Sequence, residues 1–244
     1  VYHAAAFKHV GLSQTNKLYY FLNNVGGMLR VLDFIKERKS DLVLISTDKA
    51  VYPSNVMGCT KRLCEFLILE SKMQNIMVVR FGNVLNSNGS VIPIFKQQIK
   101  MGGPVTVTTP DTTRYFMSLN EAIGLVFSAH KSKNKNRIKI LDMGPAITID
   151  SLARNMIEEA GMTVVGEGKK KLANEIEIKY IGLRSGEKEH EILTYGALEV
   201  EESIQNTNEE IIPCPKLITH IIDCEKKKIL PNFQKIDWKN GCFL

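Results

Sequence analysis

The sequence of 244 residues lacks the features that mark membrane-spanning and secreted chains. No run of 18 or more apolar residues occurs, so no segment is long enough to cross a bilayer as a helix. The opening residues, VYHAAA, are not organised as a secretory signal, and the start at Val1 indicates a piece of a longer protein. We expect a cytoplasmic location with no membrane segment in this chain. Membrane association would require helices upstream of it in an intact protein.

Cysteine and histidine are also sparse. The five cysteines are an odd number without a Cys-x-x-Cys pair, and no histidine lies at metal-ligand spacing. These observations predict that the chain holds no metal ion, and they favour a reducing compartment.

The excess of positive charge is modest, with a formal net charge of +6. The lysines are scattered apart from the runs HKSKNKNRIK (130–139) and GEGKKK (166–171), and no aromatic platform is interleaved with these runs. The pattern predicts no nucleic-acid partner. It suits a small anionic substrate that is attracted into a cleft.

Strand and helix patterns alternate in the first part of the chain. The patterns predict strands over 1–2, 41–47 (DLVLIST) and 76–84 (IMVVRFGNV), and helices over 14–37 and 54–73. This order predicts an α/β fold with a parallel sheet, which binds ligands at the carboxyl ends of its strands. The polar patches at 46–49 and 80–90 fall at two such ends.

The elements become shorter after residue 85. The patterns predict strands over 105–108, 138–144 and 176–183, helices over 119–131 and 149–160, and a short helix that starts at Gly186.

No GxGxxG turn occurs, although a dinucleotide-binding sheet needs a glycine-rich turn where the pyrophosphate meets a helix. Either the fold binds no dinucleotide or its first part is missing, and the start at Val1 favours the second alternative. Gly26 and Gly27 lie inside a helical pattern and do not replace the motif. We expect these two glycines to allow close packing against a strand or a cofactor.

Thr47, Asp48 and Lys49 place a hydroxyl, a carboxylate and an amine at the end of one strand. Such a cluster can orient a substrate hydroxyl, donate a proton and accept one, although a polar turn would look the same. Met57 and Lys61 share a face of the next helix at spacing i, i+4. Met57 has no titratable proton, and core packing is its simplest interpretation.

Arginines also follow several predicted strands. Arg80, Asn83, Arg114 and Arg184 lie in strand-end or loop positions, where guanidinium groups could bind phosphate oxygens or form surface ion pairs.

Five collinear motifs then give a resemblance that covers residues 1 to 195. They are VYHAAAFKHV, LISTDKAVYPSNVMGCTKR, the stretch from VVRFGNV to TTRYFM, ILDMG, and IGLRSGEK. Together they resemble the CapD-like polysaccharide-biosynthesis group, the nucleotide-sugar 4,6-dehydratases of the extended short-chain dehydrogenase/reductase superfamily.

The resemblance implies a Rossmann-like doubly wound parallel sheet that binds NAD or NADP tightly, with its first third missing, and a smaller α/β substrate domain. The implied Rossmann part covers 1–85 and 119–146, the UDP-sugar part covers 86–118 and 147–200, and 201–244 form an irregular tail. The implied reaction converts UDP-N-acetylglucosamine to a 4-keto-6-deoxy sugar nucleotide for surface glycan synthesis. Members of the group often form homo-oligomers, so we expect one here.

The resemblance also implies roles for individual residues. The catalytic group would be Thr47 at the C4 hydroxyl, Asp48 as the acid at C6 and Lys49 as the base at C5, with Met57 and Lys61 on the next helix. The cofactor-binding group would be His3, Ala4, Ala5, Asn24, Ser46, Lys61 and Arg80. The substrate-binding group would be Lys8, Asn83, Ser90, Val91, Arg114, Arg184 and Glu187.

Met57 also bears on the branch of the group. Some members have Tyr at this position and others have Met, and the Met branch resembles the larger dehydratases that retain the C5 configuration. The chain departs from the group at Ser185, where Pro is usual, and at LSQTNKLYYFLNNVGG, which replaces an acidic segment. Two alternatives stay open: a UDP-sugar epimerase on the same fold, and an inactive fragment that only binds UDP-sugar or a partner.

Overall fold

The computed structural model describes residues 1–71, 73, 75–132, 138–166, 168 and 172–194. The predicted tail, 201–244, and parts of both basic runs lie outside these residues. The strands, in chain order, are β1 (Tyr2–His3), β2 (Leu42–Thr47), β3 (Ile76–Phe81), β4 (Asn83–Val84), β5 (Val105–Val107), β6 (Thr113–Arg114), β7 (Phe116–Met117), β8 (Ile138–Ile140), β9 (Ile147–Thr148), β10 (Thr163–Val165) and β11 (Glu175–Tyr180). The α-helices are α1 (Val10–Thr15), α2 (Lys17–Phe21), α3 (Gly27–Arg38), α4 (Val56–Glu70), α5 (Val91–Lys100), α6 (Leu119–Lys131) and α7 (Ile149–Glu159).

The main sheet has the parallel strand order β1-β2-β3-β8, which confirms the predicted α/β class. Helices cover both of its faces. Leu42 and Leu44 of β2 face α3 and α4, while Val43 of the same strand faces Ala129 of α6. The predicted run of apolar residues in β2 follows from this burial on both sides.

A second parallel sheet has the order β10-β11-β5 and packs against α5 and α7. Its core includes Phe95 of α5 and Ile157 of α7, together with Ile176 and Ile178 of β11. The later segments therefore have a hydrophobic core of their own.

The helix predicted over 14–37 is interrupted in the structure. It begins earlier, in α1, breaks at Asn16 and passes through a π-helical turn, Leu22–Gly26, before α3. A Cβ at Gly27 would meet no heavy atom within 4 Å among the described residues, so this glycine does not pack closely against a strand, and its packing against a cofactor stays a prediction. The distortion of the helix lies instead at the buried side chain of Asn24.

The short helix predicted from Gly186 is wrong, since residues 186–194 contain no helix. Gly186 has φ +83°, which belongs to a turn, and Glu187 N–H donates to Arg184 O at 3.0 Å. The next two carbonyl groups, of Lys188 and Glu189, accept hydrogen bonds from the Arg114 guanidinium. These tertiary bonds replace the i to i+4 bonds that a helix would have used.

In the part of the chain that the structure describes, the longest apolar helices fall short of what is needed to cross a membrane.

Candidate active site

The carboxyl end of β2 carries the polar cluster that the sequence singled out. β2 ends at Thr47, and a single 3₁₀ turn, Asp48–Ala50, brings the next two side chains back over the strand end. Thr47 Oγ1 donates to Asp48 Oδ1 at 2.8 Å, and Lys49 Nζ approaches the same oxygen at 3.0 Å. The predicted group of Thr47, Asp48 and Lys49 is therefore a single hydrogen-bonded unit in the structure.

Asp48 is fully buried, and its two oxygens are used unequally. Oδ1 accepts both hydrogen bonds, whereas Oδ2 has no hydrogen-bond partner among the described residues. A buried carboxylate oxygen without a donor is costly, so this atom is suited to a donor from a ligand.

Lys49 lies between two carboxylates. Its Nζ is 3.0 Å from Asp48 Oδ1 and 3.6 Å from Glu191 Oε1, and it donates to Asn83 Oδ1 at 3.3 Å. Burial of the ammonium lowers the Lys49 pKa, but the charges of Asp48 and Glu191 outweigh burial, and the net pKa is raised. Lys49 is therefore protonated at neutral pH in this structure.

Met57 and Lys61 occupy the same side of α4, as predicted, but in different surroundings. Met57 is 4% exposed and packs with Tyr20, Val56 and Cys59. Lys61 Nζ donates to the carbonyl oxygen of Ile45 in β2.

Lys61 also acts on His3, at the end of the neighbouring strand β1. Burial lowers the pKa of Lys61, and burial together with the Lys61 charge lowers the pKa of His3. A neutral imidazole and a buried amine therefore flank the ends of β1 and β2.

Asn24 fixes the segment that follows β1. Its Oδ1 accepts from Phe7 N–H at 2.7 Å, and its Nδ2 donates to Phe7 O at 3.1 Å and to Thr60 Oγ1 at 2.9 Å. Ala4 and Ala5 are exposed in the segment that Asn24 holds. Two exposed methyl side chains at a strand's carboxyl end leave room for a flat ligand, and this arrangement fits a dinucleotide.

Ser46 and Arg80, which the resemblance assigns to the cofactor, both lie in the interior. They pair in register on β2 and β3, and Arg80 forms a two-pronged ion pair with Glu65 at 3.1 and 3.0 Å. Ser46 Oγ donates to the same carboxylate at 2.5 Å. Arg80 is 1% exposed, and its guanidinium is paired with Glu65, while its cofactor-binding role stays a prediction.

Three of the predicted substrate-binding residues, Lys8, Ser90 and Val91, lie at or near the start of α5. Lys8 Nζ donates to Asn88 O at 2.8 Å, in the loop before α5. Ser90 precedes α5, whose first residue is Val91, and its Oγ is buried with no hydrogen-bond partner among the described residues. Ser90 Oγ is thus a second buried oxygen available to a ligand.

Arg114 and Arg184 differ in availability. The Arg114 guanidinium donates to the carbonyl oxygens of Thr113, Lys188 and Glu189. Arg184 is exposed on a turn that Glu187 closes by accepting from the Arg184 N–H at 3.0 Å. Arg114 therefore holds the 188–189 backbone, while Arg184 remains at the surface.

Sequence reasoning missed Glu191 and Lys188. Both belong to the segment interpreted as a helix, and Lys188 Nζ lies 3.5 Å from Glu191 Oε2 and donates to Val51 O at 2.6 Å. Only the charge-rich string GEKEHE could have drawn attention to them, and it does not show that Glu191 faces a lysine 142 positions earlier in the chain.

Comparisons with known proteins bear on this site. Residues 1–212 match the model of the family described as "Polysaccharide biosynthesis protein". The chain is 47% identical over 198 residues to the capsular polysaccharide biosynthesis protein CapD of Staphylococcus aureus, covering 79% of this chain and 32% of CapD. It is 45% identical over 197 residues to the probable polysaccharide biosynthesis protein EpsC of Bacillus subtilis, covering 79% and 31%. The chain thus spans about a third of the length of these relatives.

A further relative carries a different activity in its name. The UDP-glucose 4-epimerase of Rickettsia canadensis is 39% identical over 200 residues, which cover 79% of this chain and 55% of the epimerase.

Solved structures support the same fold. The structure of Pen from Bacillus thuringiensis has a TM-score of 0.70 at 37% identity and covers 79% of this chain and 59% of its own. DesIV, a dTDP-glucose 4,6-dehydratase from Streptomyces venezuelae solved with NAD, has a TM-score of 0.64 at 16% identity, with 93% and 74% covered. The second likeness shows the fold alone, and it confirms the Rossmann-like class.

The family match and the two polysaccharide relatives confirm the resemblance that the motifs indicated, within a group related to nucleotide-sugar dehydratases and epimerases. The chain therefore belongs to the family of polysaccharide biosynthesis proteins.

Proposed function

We propose that this chain is the catalytic part of an NAD(P)-dependent dehydratase that converts a UDP-N-acetylhexosamine, UDP-N-acetylglucosamine first, to a 4-keto-6-deoxy sugar nucleotide. The observation that carries the proposal is Asp48. This carboxylate is fully buried, one of its oxygens accepts hydrogen bonds from Thr47 and Lys49, and the other has no donor in the part of the chain that the structure describes. An acid, a base and a hydroxyl within one hydrogen-bonded unit are what elimination of water from a sugar requires.

One proton transfer along the hydrogen bond between Lys49 and Asp48 produces both the base and the acid of the reaction. Transfer of the proton from Nζ to Oδ1, two atoms that lie 3.0 Å apart, produces a neutral amine and a protonated carboxyl at the same time. Lys49 then takes the proton from C5, Asp48 gives its proton to the hydroxyl leaving C6, and one molecule of water is released, which regenerates the ion pair seen in the structure. The proton that the C4 hydroxyl loses when hydride leaves C4 balances the proton that C5 regains when hydride returns to C6, and Thr47 and Lys49 would carry it.

The remaining predicted residues take supporting roles. Thr47 would hold the C4 hydroxyl, and Met57 would exclude water from the α4 side because it is buried and apolar. Lys61, His3, Ala4 and Ala5 would hold the nicotinamide end of NAD or NADP, and Asn24 would support them through its hold on Phe7. Bound NAD(P) supplies the acceptor and donor of the hydride that leaves C4 and returns to C6.

UDP would lie beside the start of α5. The groups proposed to hold it are Ser90 Oγ, which has no hydrogen-bond partner among the described residues, the start of α5 at Val91, Asn83, Lys8, and the exposed Arg184 with Glu187. Arg114 would act through the backbone of 188–189, which it already holds. A UDP-sugar as the substrate class is also favoured by the similarity to the UDP-glucose 4-epimerase. A homo-oligomeric, cytoplasmic assembly stays a prediction.

The main competitor is a UDP-sugar 4-epimerase, because the same relative is named as one. Removal of hydride from C4 serves both reactions, but epimerisation needs no acid at C6. Asp48 and Lys49 therefore favour dehydration, and the Met57 branch of the resemblance favours retention at C5. An inactive binding fragment is the third alternative, since the chain spans about a third of CapD.

The test is product analysis by NMR. The chain, and a chimera that carries ahead of it the CapD region preceding the matched residues, are incubated with UDP-N-acetylglucosamine and NAD⁺. A 4-keto-6-deoxy product supports dehydration. The C4 epimer as sole product overturns the proposal in favour of epimerisation, and no turnover by either protein favours the binding fragment.

A further inference from the structure

Residues 184–194, which we call the strap, lie against the turn that follows β2. The strap is held at several points along its length. Ser54 Oγ and Asn55 Nδ2 both donate to Gly186 O, and Arg80 donates to Leu193 O at 3.3 Å. Lys188 donates to Val51 O at 2.6 Å. These contacts fix the strap relative to the β2 turn that bears Asp48 and Lys49.

Glu191 is the strap's most buried described side chain, with 3% of it exposed. It lies between two lysines, 3.6 Å from Lys49 Nζ through Oε1 and 3.5 Å from Lys188 Nζ through Oε2. Oε2 is buried and has no hydrogen-bond partner among the described residues. A carboxylate this deep is tolerated only with opposite charge beside it, and here the two lysines supply that charge.

We propose that Glu191 is a positioning residue for Lys49: it holds the amine beside Asp48 and sets how readily that amine gives up its proton. The proposal rests on the proposed function, because it assigns a role for the base of that reaction. Glu191 lies 3.6 Å from the reacting amine and acts through it, and nothing requires Glu191 to contact the sugar.

The charges around Lys49 come from three elements. Asp48 lies on the same turn, Glu191 lies on the strap, and Arg114 lies on β6 with an opposing effect. Lys188, on the strap, neutralises part of the Glu191 charge. Removing Glu191 leaves Asp48 as the one carboxylate among these groups, so the neutral form of Lys49 becomes easier to reach. Removing Lys188 strengthens the hold of Glu191 and has the opposite effect.

The test measures the reactivity of the Lys49 amine in the folded chain, which requires no turnover. Trace acetic anhydride modifies neutral amines, and peptide mass spectrometry gives the rate at Lys49 relative to Lys36, an exposed residue of α3. At pH 8, Glu191→Gln is expected to raise this relative rate about threefold or more, and Glu191→Asp, which keeps the charge, to change it less than about twofold. Lys188→Gln is expected to lower it.

Glu189→Gln is the matched control. Glu189 lies on the same strap and accepts from Thr109 Oγ1 at 2.9 Å, but it is not among the charges that shift Lys49. An equal rise in Glu189→Gln would show that opening of the strap, rather than loss of charge, exposes Lys49, and would overturn the proposal. An unchanged rate in Glu191→Gln, or a rise in Lys188→Gln, would overturn it as well.

Turnover separates this proposal from the proposed function. If the wild-type protein dehydrates the sugar, Glu191→Gln is expected to change the dependence of kcat on pH. The limb that reports the titration of Lys49 should shift to lower pH. If the wild-type protein forms no product while the acetylation pattern holds, the proposed function fails and the role of Glu191 in positioning Lys49 stands.

Discussion

Asp48 and Glu65 are two carboxylates near the end of β2 with no exposed surface, and they differ in how their oxygens are used. Glu65 of α4 has four donors: Oε1 accepts from Ser46 and Arg80, and Oε2 accepts from Arg80 and Arg62. Asp48 has two donors on one oxygen and none, among the described residues, on the other. Both side chains are completely buried, so burial alone does not distinguish them.

The difference teaches where to look for chemistry. A carboxylate whose hydrogen-bonding capacity is filled by its own chain has a structural role, because nothing is left for a ligand. A buried carboxylate with an unused oxygen keeps a cost that a bound ligand can relieve. The two carboxylates contact neighbouring residues of β2: Glu65 binds Ser46 and Asp48 binds Thr47. The side chains of Ser46 and Thr47 point to opposite faces of the sheet because they are consecutive on a strand.

The largest expected effect comes from replacing Asp48, the carboxylate with an unused oxygen. Asp48→Asn is expected to reduce kcat for dehydration by about 10²–10⁴, because the amide cannot protonate the leaving hydroxyl. The free energy of unfolding, measured by urea titration, should fall less than in Glu65→Gln, because Lys49 keeps Glu191 as a counter-charge. A variant that keeps wild-type turnover would remove Asp48 from the role of acid.

The satisfied carboxylate should respond in the opposite way. Glu65→Gln is expected to lower the free energy of unfolding by about 3–5 kcal/mol, because two arginines lose their buried counter-charge. Urea denaturation measures this change, with Glu159→Gln at the exposed end of α7 as the control. Equal stability of the two variants would contradict the structural role given to Glu65.

Acidification sharpens the same comparison. Burial raises the pKa of Glu65, but Arg80, Ser46 and Arg62 outweigh burial and hold the pKa below the ordinary value of 4.5. Because the folded pKa is the lower one, the contribution of Glu65 to stability is complete above about pH 4.5 and is lost as the pH falls through the folded pKa.

The measurement is the unfolding free energy of wild type and Glu65→Gln between pH 7 and pH 3. The gap between the two proteins should be constant down to about pH 4.5 and then close, since only wild type has this carboxylate to protonate. A gap that widens in acid would reverse the sign of the assigned pKa shift.

The smallest effect concerns Cys64, one turn along α4 from Thr60 and next to Glu65. Burial raises the pKa of its thiol to about 12, and its Sγ donates to Asn24 O. Iodoacetamide at pH 8 should therefore leave Cys64 unmodified in the folded protein and modify it in urea, as read from its peptide. Rapid labelling in the folded protein would contradict this burial.

Much of the fold could be predicted because its signals are local. The apolar run of β2 and the apolar periods of α4 and α6 show their burial in the sequence itself, and the helix over 119–131 is found with the predicted bounds. Asn55 caps α4 by accepting from Gly58 N–H at 2.8 Å. The helix from Gly186 was wrong, because Arg114 takes the carbonyl groups that a helix would have used.

The site divides in the same way. Thr47, Asp48 and Lys49 could be predicted as a group because three consecutive residues at a strand end must lie together. Arg80 looked available because sequence gives its position on β3 but not the partner, Glu65, that faces it across the sheet–helix interface.

The sequence by itself determined the alternation of strands and helices, the parallel sheet and the polar cluster at its edge, because these depend on periodicity and on the order of neighbours. Tertiary structure alone decided which carboxylate is satisfied, where Arg80 points and that Glu191 faces Lys49. The Glu65–Arg80 pair joins a helix to a strand 15 positions away, and the Lys49–Glu191 pair joins residues 142 positions apart, so no local pattern records either contact.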